Sequence, residues 1–204
     1  MPDRAVDFVL FDLGGVLIEL GGLAAFRELA GLGSDEEMWE RWLGCPWVRR
    51  FERGGCTPEE FAAGVVADWQ LGVPPDRFLQ IFEAWPIGPF AGSAALLEDV
   101  QGSVPIGCCS NTNVVHWSYQ SQHWPLLEVF DHSFLSFELG LVKPDREMFE
   151  AVGERVPAEP DRVLFLDDVV QNVDAARSYG FRAEQVHGPE QCRAVLEGLG
   201  LCPG

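Results

Sequence analysis

The chain of 204 residues has 14 basic and 32 acidic side chains, a formal charge of −18, and 47% hydrophobic residues. A field of that sign repels nucleic acid and anionic membranes, so neither is an expected partner, and an anionic substrate needs a metal ion and local cations to approach. The apolar content supplies one core with room for a modest insertion, and no apolar run reaches the roughly 18 residues of a membrane-spanning helix.

Met1-Pro2-Asp3-Arg4 leads directly to the first strand without the charged, apolar and small-residue pattern of a secretory signal. Val6–Phe11 reads as a buried strand, and it ends in Asp12-Leu13-Gly14-Gly15. A carboxylate at the end of such a strand, followed by backbone free to turn, is how an α/β protein presents a reactive acid at a ligand crevice. Two positions on, where ordinary acid–base work calls for a second carboxylate, stands Gly14.

From 18 to 88 the patterns are helical, and no strand is expected. Phe61, Val65 and Trp69 recur at helical spacing, as do Phe78, Phe82 and, one step early, Trp85. Thr57-Pro58-Glu59-Glu60 is a helix start with cap, proline and first-turn acids. Trp39, Trp42, Trp47, Trp69 and Trp85 fit the packing of a small helical lid, with sugar stacking as an alternative. Arg41, Arg49, Arg50 and Arg53 read as a solvated helix face, or as cations near an anionic substrate. Pro86–Pro89 is the expected return hinge.

Strands are then expected at Val104–Cys109, Ser133–Leu135, Val163–Leu166 and Phe181–Val186, with helices from Pro144 to about Arg155 and over Val169–Tyr179, stopped by Gly180. Alternating strand and helix predicts an α/β fold: a Rossmann-like parallel sheet formed by 1–17 and 89–204, with 18–88 inserted as a helical cap. The six cysteines show no C-x-x-C spacing and the four histidines form no zinc pattern with them, so a reduced, cytoplasmic setting is expected.

Scarcity marks the candidate site. The chain has one lysine against thirteen arginines, three asparagines and two threonines. Lys143, Asn111, Asn113, Asn172 and Thr112 all fall at strand ends or in the loops after them. Ser110-Asn111-Thr112-Asn113 offers hydroxyl, amide and backbone N–H groups suited to a phosphate oxygen, or to a helix cap. Lys143 is a compact point charge before a helix. Asp167 and Asp168 end a second apolar strand, and two adjacent carboxylates there need a cation or a donor network; Mg²⁺ between Asp12 and Asp168 answers that need.

The order strand-Asp12, strand-Ser110-Asn111, Lys143-Pro144 and strand-Asp167-Asp168 with Asn172 following resembles the haloacid dehalogenase-like hydrolase superfamily over essentially the whole chain. The likeness is greatest to sugar-phosphate phosphatases of the alpha-D-glucose-1-phosphate type and to the phosphatase domain of soluble epoxide hydrolases. The resemblance implies that Asp12 is a nucleophile forming an aspartyl-phosphate and a Mg²⁺ ligand. It implies further ligands in the Gly14 carbonyl and Asp168, with Asp167 beside it, phosphoryl contacts from Ser110 and Asn111, charge neutralisation by Lys143, and loop support from Asn172. The implied substrate is a small, sugar-like phosphorylated metabolite. A metal-free 2-haloacid dehalogenase and a catalytically weak phosphate-binding protein are the alternatives. Gly14 departs from the Asp usual at that place in such phosphatases, which leaves the leaving group, a cap residue or water to manage the proton.

Overall fold

The structure, a computed structural model, describes residues 5–21 and 23–203; Met1–Arg4, on which the expectation for the N-terminus fell, lie outside them. β1 (Phe8–Phe11) is followed by β2 (Ile18–Leu20) and five helices: α1 (Leu23–Leu29), α2 (Asp35–Leu43), α3 (Pro46–Glu52), α4 (Pro58–Trp69) and α5 (Pro75–Glu83). β3 (Pro86–Pro89), α6 (Ser93–Gln101), β4 (Ile106–Ser110), α7 (Val114–His123), β5 (His132–Leu135), α8 (Ser136–Leu139) and α9 (Arg146–Gly153) come next. β6 (Val163–Asp167), α10 (Val170–Tyr179), β7 (Arg182–Gln185) and α11 (Gly188–Gly198) complete the chain.

Five parallel strands form one sheet in the order β5-β4-β1-β6-β7. β1 is central, and its alternating side chains fill two cores. Val9 and Phe11 join Leu97, Ile106 and Leu166 on one face; Phe8 and Leu10 join Phe149, Phe165 and Val173 on the other. Burial on both faces explains why these strands read as continuous apolar runs. Phe11 pairs with both Cys108 and Leu166, so the carboxyl ends of β4, β1 and β6 share one edge. The chain builds outward on either side of β1, which makes that edge a topological switch point and the expected ligand crevice.

The helices α1–α5 pack around a third core of Phe26, Trp42, Phe51, Phe61, Phe78 and Phe82. Thr57 caps α4 through its hydroxyl to the Glu60 N–H (3.2 Å), and Glu60 returns the bond to the Thr57 N–H (3.0 Å). Gly64 of α4 admits the Trp47 ring, which an added Cβ would meet at 2.1 Å. Trp69 and Trp85 are both buried against the Trp42 ring, so these three tryptophans help to pack the helices together.

Two expectations are corrected. Residues 18–88 do contain strands: β2 and β3 pair antiparallel, so the chain leaves and returns to the sheet along one ribbon. Each is too short to show a period, and Pro86 and Pro89 are tolerated because a two-stranded ribbon leaves one side of each strand unpaired. The helix expected from Pro144 begins at Arg146, because Val142-Lys143-Pro144-Asp145 closes into a turn through the Asp145 N–H to the Val142 carbonyl (3.0 Å). All six cysteines are free thiols. Among the described residues no helix is long and apolar enough to cross a membrane.

Candidate active site

A cavity of about 600 Å³ opens over the carboxyl edge of the sheet, between it and the helices α2–α5. Asp12, Ser110 and Asp168 come to its floor because β1, β4 and β6 end there. Lys143 reaches the same point from the turn before α9, with its side chain almost fully buried. Its ammonium lies 2.8 Å from Asp12 Oδ1 and 2.6 Å from Asp167 Oδ2, so one cation bridges the ends of two strands.

The three carboxylates Asp12, Asp167 and Asp168 place oxygens within 4.8 Å of one another. Against a single ammonium this leaves a surplus of negative charge in a poorly solvated place. Burial pushes the Asp12 carboxyl above its ordinary range; Lys143 pulls it back, while Asp167 and Asp168 add to the rise. Burial, with the neighbouring Asp167 charge, pushes Asp168 up to about 6. Burial alone would lower the Lys143 ammonium, but Asp12 and Asp167 outweigh it and hold it charged.

Hydrogen bonding divides the three acids into two kinds. Asp167 accepts from Lys143, from Asn172 Nδ2 (3.0 and 3.1 Å) and from the Val169 N–H (2.8 Å), so its oxygens are engaged. Asp12 Oδ2 and the Asp168 carboxylate accept no bond from another residue among those described, and neither does the Gly14 carbonyl. Hard oxygen donors in surplus negative charge, facing a cavity, fit a divalent cation of the Mg²⁺ kind. The fit favours Asp12, Asp168 and Gly14 over Asp167, which the donors of Lys143 and Asn172 hold as an orienting group.

Gly15 makes this packing possible. Its φ is +74°, and a Cβ there would lie 2.3 Å from Asp168 Oδ2. A Gly15→Ala variant is expected to displace the Asp168 carboxylate, to cost about 1–3 kcal/mol of stability, and to weaken Mg²⁺ binding by about 10–100-fold. Urea denaturation and calorimetric Mg²⁺ titration measure the two effects.

Ser110 ends β4 facing the cavity, where its hydroxyl has no partner among the described residues. Asn111 differs from its expected part. Its amide accepts from the Lys143 N–H (2.8 Å) and donates to the Lys143 carbonyl (2.9 Å), so the side chain is engaged in positioning the lysine turn. Asn113 caps α7 by accepting from the Val115 and His116 N–H groups (both 3.1 Å). The Thr112 N–H is held by Ser136 Oγ (2.9 Å).

The arginines are not simply solvated. Arg49 binds Asp145 (2.6 Å to Oδ1), joined there by Arg53, and Arg41 lies 4.4 Å over the Trp69 ring. Glu52 and His116, which no motif in the sequence marks, also line the cavity. His116 Nε2 bonds the Phe82 carbonyl (2.8 Å) and its Nδ1 lies 3.2 Å from Asn113 Nδ2, a pattern satisfied by the neutral Nε2–H ring. Burial accordingly lowers it to about 4.

The model of haloacid dehalogenase-like hydrolases matches residues 6–180. The D-ribitol-5-phosphate phosphatase of Bacteroides thetaiotaomicron is 28% identical over 92% of this chain and 95% of its own. A sesquiterpene phosphatase of Aspergillus oryzae is 27% identical over 84% and 85%. A haloacid dehalogenase family enzyme of B. thetaiotaomicron, solved with magnesium and inorganic phosphate, superposes with a TM-score of 0.71 at 25% identity, covering 88% of this chain and 93% of that one. With the sheet, its edge of carboxylates and the single buried lysine, this match over most of the length means that the chain belongs to the haloacid dehalogenase-like hydrolase family.

Proposed function

We propose that the protein is a Mg²⁺-dependent phosphomonoesterase that dephosphorylates a small, sugar-like phosphorylated metabolite by way of an aspartyl-phosphate on Asp12. The observation that carries this reading is the Lys143 ammonium set between Asp12 and Asp167, beside an Asp12 oxygen that is left unpartnered toward the cavity. A carboxylate attacks a phosphate dianion poorly because like charges repel, and a buried cation beside the nucleophile removes much of that repulsion. Mg²⁺, held by Asp12, Asp168 and the Gly14 carbonyl, supplies the remaining charge neutralisation.

In this reading Asp12 is the nucleophile, while Ser110 and the Asn111 backbone hold phosphoryl oxygens. Asn111 and Asn172 keep Lys143 and Asp167 in place through the bonds described above. The helices α1–α5 act as a cap that excludes bulk water and shapes the leaving-group space. Trp39, Trp42 and Trp85 line the cap side of the cavity, and Thr112, Gln120 and Gln171 line the opposite side. A sugar, with apolar faces and hydroxyl edges, matches both. Relatives named for phosphate-ester hydrolysis, and a neighbour solved with magnesium and phosphate, support the same class. The six free thiols support a reducing, cytoplasmic setting.

The test is a panel of sugar and polyol phosphates assayed with Mg²⁺ and with EDTA. Phosphate release that EDTA abolishes and Mg²⁺ restores is the expected result. Release from no ester in the presence of Mg²⁺ overturns the reading, and halide release from 2-haloacids without metal replaces it with a dehalogenase.

A further inference from the structure

We propose that Glu52, on the last turn of α3, is the general acid and base of this site, supplying from the cap the proton transfer for which Gly14 has no side chain; the inference rests on the phosphomonoesterase reading above. Arg49, Glu52 and Arg53 stand at i, i+3 and i+4 and so share one face of α3. Arg49 and Arg53 both bind Asp145, two residues beyond Lys143, which fixes that face against the lysine turn. Glu52 lines the same cavity as Asp12, Gly14, Ser110 and Lys143. Among the described residues its carboxyl has no hydrogen-bond or ion-pair partner, so it is free to meet a ligand.

The charges around it are mixed: Lys143 and Arg49 favour ionisation and Asp12 opposes it. Burial outweighs these and pushes the Glu52 carboxyl up to about 7, where it carries a proton or gives it up near neutrality. The other candidates are engaged elsewhere. Both His116 nitrogens are bonded within the protein, and Asp168 faces the cation position. The space beside Gly14 is bounded by Leu20 of the β2–β3 ribbon, whose Cδ1 an added Cβ would meet at 3.2 Å.

The chemistry balances in two steps. An Asp12 oxygen bonds to phosphorus as the bond from phosphorus to the leaving oxygen breaks; that oxygen keeps the electron pair and takes the Glu52 proton, leaving as an alcohol. Water then attacks the aspartyl-phosphate and gives a proton to the Glu52 carboxylate. The bond between phosphorus and the Asp12 oxygen breaks, which frees inorganic phosphate and restores both carboxyl groups.

The test compares wild type with Glu52→Gln on an alkyl phosphate and on p-nitrophenyl phosphate, whose leaving group needs no proton. Glu52→Gln is expected to lose about 10²–10⁴-fold in alkyl-phosphate turnover. With p-nitrophenyl phosphate it should give a burst of nitrophenol and a phosphoprotein visible by intact mass, since the first step survives and the second is starved of its base. Alkyl-phosphate turnover within tenfold of wild type, or the absence of a burst, overturns the proposal.

Two measurements do not depend on the variant's activity. In wild type, rates across a series of phosphate esters should depend weakly on leaving-group pKa below about pH 7 and steeply above it; a slope that ignores pH overturns the proposal. Infrared difference titration of the metal-free proteins should show, beside the Asp12 and Asp168 carboxylic-acid bands common to both, one further band that disappears near pH 7 in wild type and is absent from Glu52→Gln; identical spectra overturn it. A wild type that releases phosphate from neither ester refutes the phosphatase reading itself, and this inference with it.

Discussion

An Asp12→Asn variant is expected to release phosphate about 10⁴-fold or more slowly than wild type, a barrier increase of about 5.5 kcal/mol. The neutral amide oxygen has no charge to donate to phosphorus, and no aspartyl-phosphate can form. Acid quenching during turnover should trap a phosphoprotein in wild type and none in the variant. The fold should survive, because Lys143 keeps its partner Asp167 at 2.6 Å and Asn has the shape of Asp. Stability supplies an independent readout. The raised Asp12 carboxyl keeps its proton in the folded chain over a pH window in which the unfolded chain has lost it. In metal-free buffer it therefore favours folding less as pH rises from the ordinary carboxylate range through the folded value. Relative to wild type, Asp12→Asn should gain stability between pH 5 and pH 8 in EDTA, as read by urea denaturation at the two values.

Lys143→Met is expected to produce the largest loss of stability. It leaves the Asp12, Asp167 and Asp168 carboxylates crowded at the end of the sheet without their ammonium, and removing one partner of a buried ion pair costs about 3–5 kcal/mol. Activity should fall by about 10²–10³-fold or more, the scale for loss of a preorganised group that stabilises developing charge. Added Mg²⁺ should raise the variant's melting temperature more than that of wild type, because it meets more uncompensated charge. Lys143→Arg should not rescue turnover. The ammonium fits between two carboxylates and lies 5.3 Å from the Phe165 ring centroid, a place shaped for a point charge rather than a planar fork. Unchanged urea midpoints in Lys143→Met would refute the counter-charge role.

What the sequence made legible is what local physics controls. Strands buried on both faces must be apolar throughout, so β1 and β6 announced themselves, and their terminal acids stood out against them. Thr57 and Glu60 lie within one helical turn, so the start of α4 could be read directly. The sole lysine was conspicuous because the chain otherwise uses arginine.

Contacts between distant segments were silent. Glu52 sits in Arg49-Arg50-Phe51-Glu52-Arg53, which looks like any charged helix face until Arg49 and Arg53 are found bound to Asp145 far along the chain. Asn111 has the composition of a phosphate contact, but its amide is spent on Lys143, a partner that only the β4 edge and the lysine turn bring near. Asp167 and Asp168 are equivalent as neighbouring letters, and what separates them is a donor set supplied by Lys143, Val169 and Asn172.

The ribbon of β2 and β3 bears on how quickly the sheet can assemble. β1 must find β4 across the whole inserted segment, and closing a long loop has an entropic cost that grows by about 0.6 kcal/mol for each doubling of length. Leu20 pairs with Pro86, and the Gly21 N–H bonds the Trp85 carbonyl at 2.9 Å, so the segment that departs also ends where it began. Once that ribbon zips, the search between β1 and β4 spans only the short stretches flanking it. An insertion stitched shut at its base lowers the effective contact order of the sheet it interrupts.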